Sequence, residues 1–256
     1  MLKLLQNYHM HTARCGHATG EDREYVEQSI QNGYQTVGFS DHTPFLSMGL
    51  LYNPNIRMQP DSLEGYVNSV LRLRDEYRTE IRILLGLEVE YYPNHFEEWK
   101  KLVQPFPFDY FLLGQHYIGN TFETIYSGEL TSDESRLRLY VDQVSEAMKT
   151  GTFLYCAHPD LIRFRDTKSP FYRHEMQRLC EAAKEQNIPL EINLLGMTRE
   201  RWYPNCDFWK IAGEIGNDVV IGADAHDPTG VYPEKAVETA EKMIQRFHLN
   251  HRQNLL

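Results

Sequence analysis

The sequence predicts an α/β fold, a distorted (β/α)7 barrel of parallel strands, and three observations predict it. Short β-branched or aromatic runs alternate with longer amphipathic stretches, which is the order of a βα repeat. Seven runs read as strands, at residues 5–9, 36–40, 81–89, 108–114, 152–157, 189–193 and 218–223. Six of the seven end on or beside a histidine, glutamate or aspartate, and the remaining one ends at Asn193. An open sheet gathers ligands at a switch point between a few strands, whereas seven strand ends face one centre only in a closed ring.

The elements follow in order. Helical patterns fill the intervals at 22–32, 60–78, 95–103, 133–150, 170–186, 207–215 and 233–247, several opening on a proline or an acidic first turn. Residues 44–59, rich in Met, Leu, Tyr, Asn and Pro, read as an ordered loop over the barrel mouth. There is no internal repeat or low-complexity tract. A length of 256 residues with 41% hydrophobic and 24% charged content suits one domain spanning residues 1–256. The apolar start MLKLLQNYHMH is too short and too soon interrupted for a signal peptide, and no later run approaches a membrane span, so a cytoplasmic protein is expected.

Cys15, Cys156, Cys180 and Cys206 lie far apart with no Cys-x-x-Cys pair, which argues against a zinc finger or redox motif and for reduced thiols. Cys15 and Cys156 each lie within two residues of a candidate ligand, and packing is the simpler role for both. The net charge of −10 disfavours a nucleic acid or an anionic membrane as partner, since each needs a basic face. A small anionic substrate stays open. Three divalent ions set against Glu88 and Asp224 would leave a local charge of about +4, because histidines ligate as neutral imidazoles.

The candidate metal ligands are His9, His11, His17, His42, Glu88, His116, His158, Asp224 and His226. A zinc or iron ion takes roughly four to six donors, so this set suits two or three ions with bridging groups, and hydrolysis is the chemistry such clusters most often perform. His9 and His11, two apart on a strand end, point to the same side. Asp224 and His226 repeat that spacing at the seventh strand, which neighbours the first in a closed barrel. An unpaired Glu88 after an apolar run would be costly to bury, and a bridging position between cations removes the cost. Glu90 shares its parity and is the competitor, with Glu88 preferred because it directly ends the run.

Asp41 either orients a ligand histidine through its free ring nitrogen or caps the following turn. His116 and His158 follow continuous apolar runs and gain their meaning from the series. Spacing alone gives His17 little support. His95, His174, His248 and His251 fall in or beside helical patterns and are expected in solvent. Arg163, Arg199 and Arg201 follow the fifth and sixth strands on the face a phosphate monoester would need, although a surface ion pair is the ordinary role of any one arginine. No phosphate-binding glycine loop is present.

Taken in order, His9-x-His11, HTARCGHA, SDH at Asp41-His42, GLEVEYY, GQHY, AHPD and GADAH resemble the motifs of the polymerase and histidinol phosphatase (PHP) family. The HTxxCGHA form with SDHTP resembles its monofunctional histidinol-phosphate phosphatase branch. The resemblance covers essentially the whole chain. It implies a distorted (β/α)7 barrel, a trinuclear centre of zinc, iron or manganese, and hydrolysis of L-histidinol phosphate in histidine biosynthesis. Its ligands fall on His9, His11, His17, Glu88, His116, His158, Asp224 and His226, with His42 at the second strand end, and its phosphate-contacting arginines match Arg163 and Arg199. Arg14 departs from the pattern and is a further candidate for substrate contact.

The expected reaction is in-line attack on phosphorus by metal-activated hydroxide, with Asp224, His226 and Arg163 beside the reacting group. His42 is either a ligand or the proton donor to the leaving alkoxide. Three rivals remain: a PHP phosphoesterase of other specificity, a metal-holding barrel without turnover, and a deaminase or amidase, against which stands the absence of a strand-end lysine.

Overall fold

A computed structural model describes residues 3–46, 55–119 and 125–256, and all seven expected strands form within it. In chain order the elements begin β1 (Gln6–Asn7), α1 (Asp22–Gln31), β2 (Thr36–Phe39), α2 (Leu63–Glu76), β3 (Arg82–Val89), α3 (Phe96–Val103) and β4 (Tyr110–Leu113). A hairpin, β5 (Tyr117–Ile118) and β6 (Ile125–Tyr126), then precedes α4 (Glu134–Lys149), β7 (Tyr155–Cys156) and α5 (Pro170–Glu185). The chain continues through β8 (Leu190–Asn193), α6 (Leu194–Thr198), α7 (Cys206–Ile215), β9 (Asp218–Gly222), α8 (Glu234–Phe247) and β10 (Asn250–His251).

The main sheet runs β1-β2-β3-β4-β7-β8-β9-β10 with every neighbour parallel. It closes on itself at the ligand-bearing end. There Met10 bridges Ala225, His11 N–H donates to Ala225 O at 2.9 Å, and Ala225 N–H donates to His9 O at 3.3 Å. At the opposite end β10 lies against the start of β9, an eighth strand that distorts the ring.

Alternation along β3 sets the two sides of the wall. Ile83, Leu85, Leu87 and Val89 join the large core under the helices. Leu84 faces the barrel interior with Tyr8, Tyr110, Leu112, Tyr155, Ala157 and Val220. Tyr110 spans that interior, its hydroxyl 2.6 Å from Tyr8 O and 3.0 Å from Phe39 O. Gly38 and Gly86 leave room for it, since a Cβ at either would overlap its ring. Tyr110 thus makes a floor on which the polar end of the barrel is built.

Four features depart from expectation. The hairpin β5–β6 and the strand β10 have only two residues per strand and, unlike the equally short β1 and β7, lie outside the longer apolar runs. The stretch between the sixth strand and the helix at 206 contains α6, capped by Asn193, whose side chain accepts Gly196 N–H at 2.9 Å. Residues 60–62 form a 3-10 turn, so α2 starts at Leu63. Of the loop expected over the mouth, 47–54 lie outside the described residues. Its returning end is anchored, with Met58 fully buried and its N–H 3.3 Å from His42 O. Among the described residues no helix is long and apolar enough to cross a membrane.

Candidate metal centre

The ends of β1, β2, β3, β4, β7 and β9 deliver eight of the nine candidate ligands to one point above the Tyr110 floor, and His17 arrives on the turn after β1. That turn is pinned: Thr19 N–H donates to His226 O at 2.8 Å, and His17 Nε2 stands 2.9 Å from His226 Nε2. Glu88 is the hub. Its Oε2 lies 3.6 Å from His9 Nε2, 3.6 Å from His11 Nε2 and 3.0 Å from His42 Nδ1. Its Oε1 lies 2.8 Å from His158 Nε2 and 3.7 Å from His116 Nε2. Asp224 Oδ1 adds contacts of 3.0 Å to His11 Nε2 and 3.5 Å to His9 Nε2.

Several sets of three donors lie within 4.8 Å of one another: His9, His11 and Glu88; His9, His158 and Asp224; His42, Glu88 and His116; His17, His42 and His226. Glu88 is common to two of them, as a bridge would be.

The donor set fits cations on a physical criterion. His9 Nε2, His11 Nε2 and Glu88 Oε2 are buried and face one another, and their contacts with one another, with Asp224 and with His42 lack hydrogen-bond geometry. A buried polar atom left unpaired costs about 1–3 kcal/mol, so side chains arranged this way need a ligand of their own.

The electrostatics agree. Burial opposes ionisation of Glu88, but His116, His42 and His9 hold its carboxyl well below the usual range, and His9 and His11 do the same for Asp224. Burial also opposes charge on the histidines. At His9 it is outweighed by Glu191, Asp224 and Glu88, which raise the pKa well above its ordinary value. At His11 it is outweighed by Asp224 and Asp41, which push the pKa up to about 9. His158 is raised against its own burial by Glu88. Burial dominates elsewhere, lowering His17 and His42 and taking His116 and His226 down to about 3. The buried carboxylates therefore favour protons on His9, His11 and His158, and burial disfavours them on the other four histidines of the cluster.

Above the donors opens a cavity of about 240 Å³. His17, His42, His116, Asp224 and His226 line its inner end, and Arg57, Glu90, Tyr117, Tyr126, Arg199, Arg201 and Tyr203 its wall. Glu90 is tied to Arg57 and accepts Tyr117 N–H at 3.0 Å, so it belongs to the wall and Glu88 to the centre. Arg163 is exposed and does not line this cavity. Its guanidinium stacks on Trp202, 4.8 Å from the ring centroid. Arg14 is turned away from it, making a double contact of 2.9 Å with Asp22.

Asp41 faces His11 Nδ1 at 3.4 Å rather than the adjacent His42, whose backbone N–H it accepts at 2.8 Å. All four cysteines are free. Cys15 is buried with its thiol 3.1 Å from Thr12 O, Cys156 and Cys180 are buried, and Cys206 is exposed. His174 and His248 are exposed and His95 and His251 half-buried.

Sequence reasoning passed over Glu191. Its Oε1 lies 2.8 Å from His9 Nδ1, and it is fully buried. The signal was a carboxylate at the position two before Asn193, sharing its face in a strand whose other face is apolar. Arg57, Tyr117, Tyr126 and Tyr203 come from loops and the hairpin, where no period marks which side chains turn inward.

The family model described as PHP domain matches residues 7–194. Two curated relatives share the name "Probable histidinol-phosphatase". That of Deinococcus radiodurans is 29% identical over 86% of this chain and 85% of its own length. That of Schizosaccharomyces pombe is 28% identical over 86% and 80%. The crystal structure of a histidinol phosphate phosphatase from Lactococcus lactis, complexed with zinc, L-histidinol and phosphate, superposes with a TM-score of 0.74 at 20% identity, covering 98% of this chain and 96% of that one. At that identity the superposition shows the shared barrel fold.

Proposed function

The chain belongs to the PHP domain family, and from that membership we propose that it is a metal-dependent phosphomonoesterase hydrolysing L-histidinol phosphate to L-histidinol and phosphate, a step of histidine biosynthesis in the cytoplasm. The observation that carries the reading is the convergence of nine donors, several of them buried and unpaired, beneath a cavity walled by Arg199 and Arg201. The names of the relatives supply the substrate. Free, mostly buried thiols suit a reducing compartment.

His9, His11, His17, His42, Glu88, His116, His158, Asp224 and His226 would hold two or three divalent ions, with zinc, iron and manganese all suited to imidazole and carboxylate. Ions held there would supply a water ionised near neutral pH and a positive field for the phosphoryl oxygens. The chain's own groups do the rest. His42 sits in two of the donor sets and places Nδ1 3.0 Å from Glu88 Oε2, a position that favours a ligand over a proton donor to the leaving alkoxide. Asp224 and His226 line the cavity and face the phosphoryl group.

Arg199 and Arg201 take phosphate oxygens from the wall. Arg163 joins them by leaving Trp202, because an exposed cation–π contact is worth about 0.5–1 kcal/mol and a hydrogen bond to a charged group about 1.5–3 kcal/mol. The rings of Tyr117 and Tyr126, with centroids 5.4 Å apart, offer an aromatic surface for the imidazole.

The test is phosphate release by purified protein from L-histidinol phosphate beside sugar phosphates, mononucleotides and p-nitrophenyl phosphate, with metal content assayed on the same sample. Strong preference for L-histidinol phosphate, lost on chelation and in His9→Ala, is expected. A metal-loaded protein that spares that substrate but cleaves another phosphomonoester would keep the phosphatase and overturn the substrate.

A further inference from the structure

Of the seven strands expected from the sequence, β8 is the one that ends without a candidate ligand, yet it carries two polar side chains into the barrel. Glu191 and Asn193 share an inward parity and are both fully buried. A carboxylate so placed needs donors around it, and Glu191 has four. Oε1 is met by His9 Nδ1 at 2.8 Å and by the Tyr155 hydroxyl at 3.1 Å. Oε2 accepts His158 N–H at 3.1 Å and Asn193 Nδ2 at 2.9 Å. Asn193 Nδ2 also donates to Asp224 Oδ2 at 3.0 Å. Gly222 on β9 clears the space, since a Cβ there would overlap Glu191 Oε1.

These bonds reach His9, His158 and Asp224, and those three residues form one of the donor sets. His158 and Asp224 both have left-handed backbones, with φ of 29° and 52°. Such conformations cost on the order of 1–3 kcal/mol and persist only where neighbours fix them. We propose that Glu191 and Asn193 are positioning residues for the single ion position made by His9, His158 and Asp224. Glu191 accepts a hydrogen bond from His9 Nδ1–H, the tautomer that turns the Nε2 lone pair toward the centre, where that atom makes no hydrogen bond of its own. Through the His158 backbone and through Asn193 it holds the other two donors at the matching distance. The proposal rests on the metal-centre reading above.

The probe is Co²⁺ titrated into the metal-free full-length protein, followed by visible absorption and by metal content after dialysis against a competing chelator. A glutamine at 191 must turn its amide NH2 either to His9 or to the His158 and Asn193 donors, which spoils one side of the network. Glu191→Gln is therefore expected to bind one ion about 10–100-fold more weakly, with the remaining absorption bands kept and turnover restored by excess metal. Asn193→Ser keeps a cap for Gly196 N–H but cannot reach Glu191 and Asp224. It is expected to weaken the same ion, and it carries the test if Glu191→Gln does not fold. Wild-type affinity and stoichiometry in the folded variants would overturn the proposal and leave the metal centre standing. A wild-type protein that takes up no cobalt would overturn both.

Discussion

Glu88 stands within 3.7 Å of a ring nitrogen of five histidines, and glutamine would keep its shape while removing its charge. Because groups that merely support metal ligands cost about 10–100-fold when changed, Glu88→Gln is expected to lower kcat by more than about 100-fold and to reduce bound metal, read by steady-state kinetics and elemental analysis. Arg199→Ala and Arg163→Ala are each expected to cost about 10–100-fold in kcat/KM, the worth of a charge-assisted hydrogen bond. Inorganic phosphate should also change the tryptophan fluorescence as Arg163 leaves Trp202, and a silent spectrum with full activity in Arg163→Ala would remove that residue from the site. At this scale the sequence showed which residue types converge but not always their partners. Glu88 and Glu90 have the same parity, and only the position of Arg57 on the far wall separates them. Asp41 is adjacent to His42 in sequence, yet the pleat turns it toward His11.

The elements were legible wherever they were long enough to show a period, as in the alternation of β3 or the apolar stripe of α8. Strands β10, β5 and β6 lie outside any longer apolar run, whereas β1 and β7, also of two residues, lie inside the runs at 5–9 and 152–157. Glu191 lies inside a strand rather than at its end, where the ligand pattern falls. Glycine illustrates how an element's surroundings decide a residue's worth. Gly86 on β3 lies against the Tyr110 ring, while Gly65 on α2 has open space around its missing Cβ. Gly86→Ala is expected to destabilise the protein by about 1–3 kcal/mol through overpacking. Gly65→Ala should stabilise it by about 0.5–1 kcal/mol. Urea denaturation of the pair, with unchanged m-values, would check both signs.

For the whole molecule the histidine cluster makes stability depend on pH in two opposite ways when metal is absent. His11, whose folded pKa of about 9 exceeds the unfolded 6.5, contributes stability that is full below pH 6.5 and lost as pH rises through 9, and His9 and His158 act in the same sense. His116 and His226, with folded values near 3, resist protonation in the native state, so stability is lost as pH falls below 6.5. The metal-free melting temperature is expected to peak near pH 6.5. Ions that bind neutral imidazole displace the proton of His11, so metal uptake at pH 7 should acidify a weak buffer, an effect that fades above pH 9. A flat profile and no proton release would contradict this account.

The seam between β1 and β9 gives the site a place in time as well as in space. His17 and His226 touch across 209 positions of sequence, and domains emerge from the ribosome N-terminus first. A nascent chain that has reached residue 116 owns only two of the donor sets, the one of His9, His11 and Glu88 and the one of His42, Glu88 and His116. Every other set found among the described residues waits for residue 224 or 226. In the proposed metal centre, full loading would therefore wait for the ninth strand's end, and a ribosome stalled before it would hold a chain with an incomplete donor set.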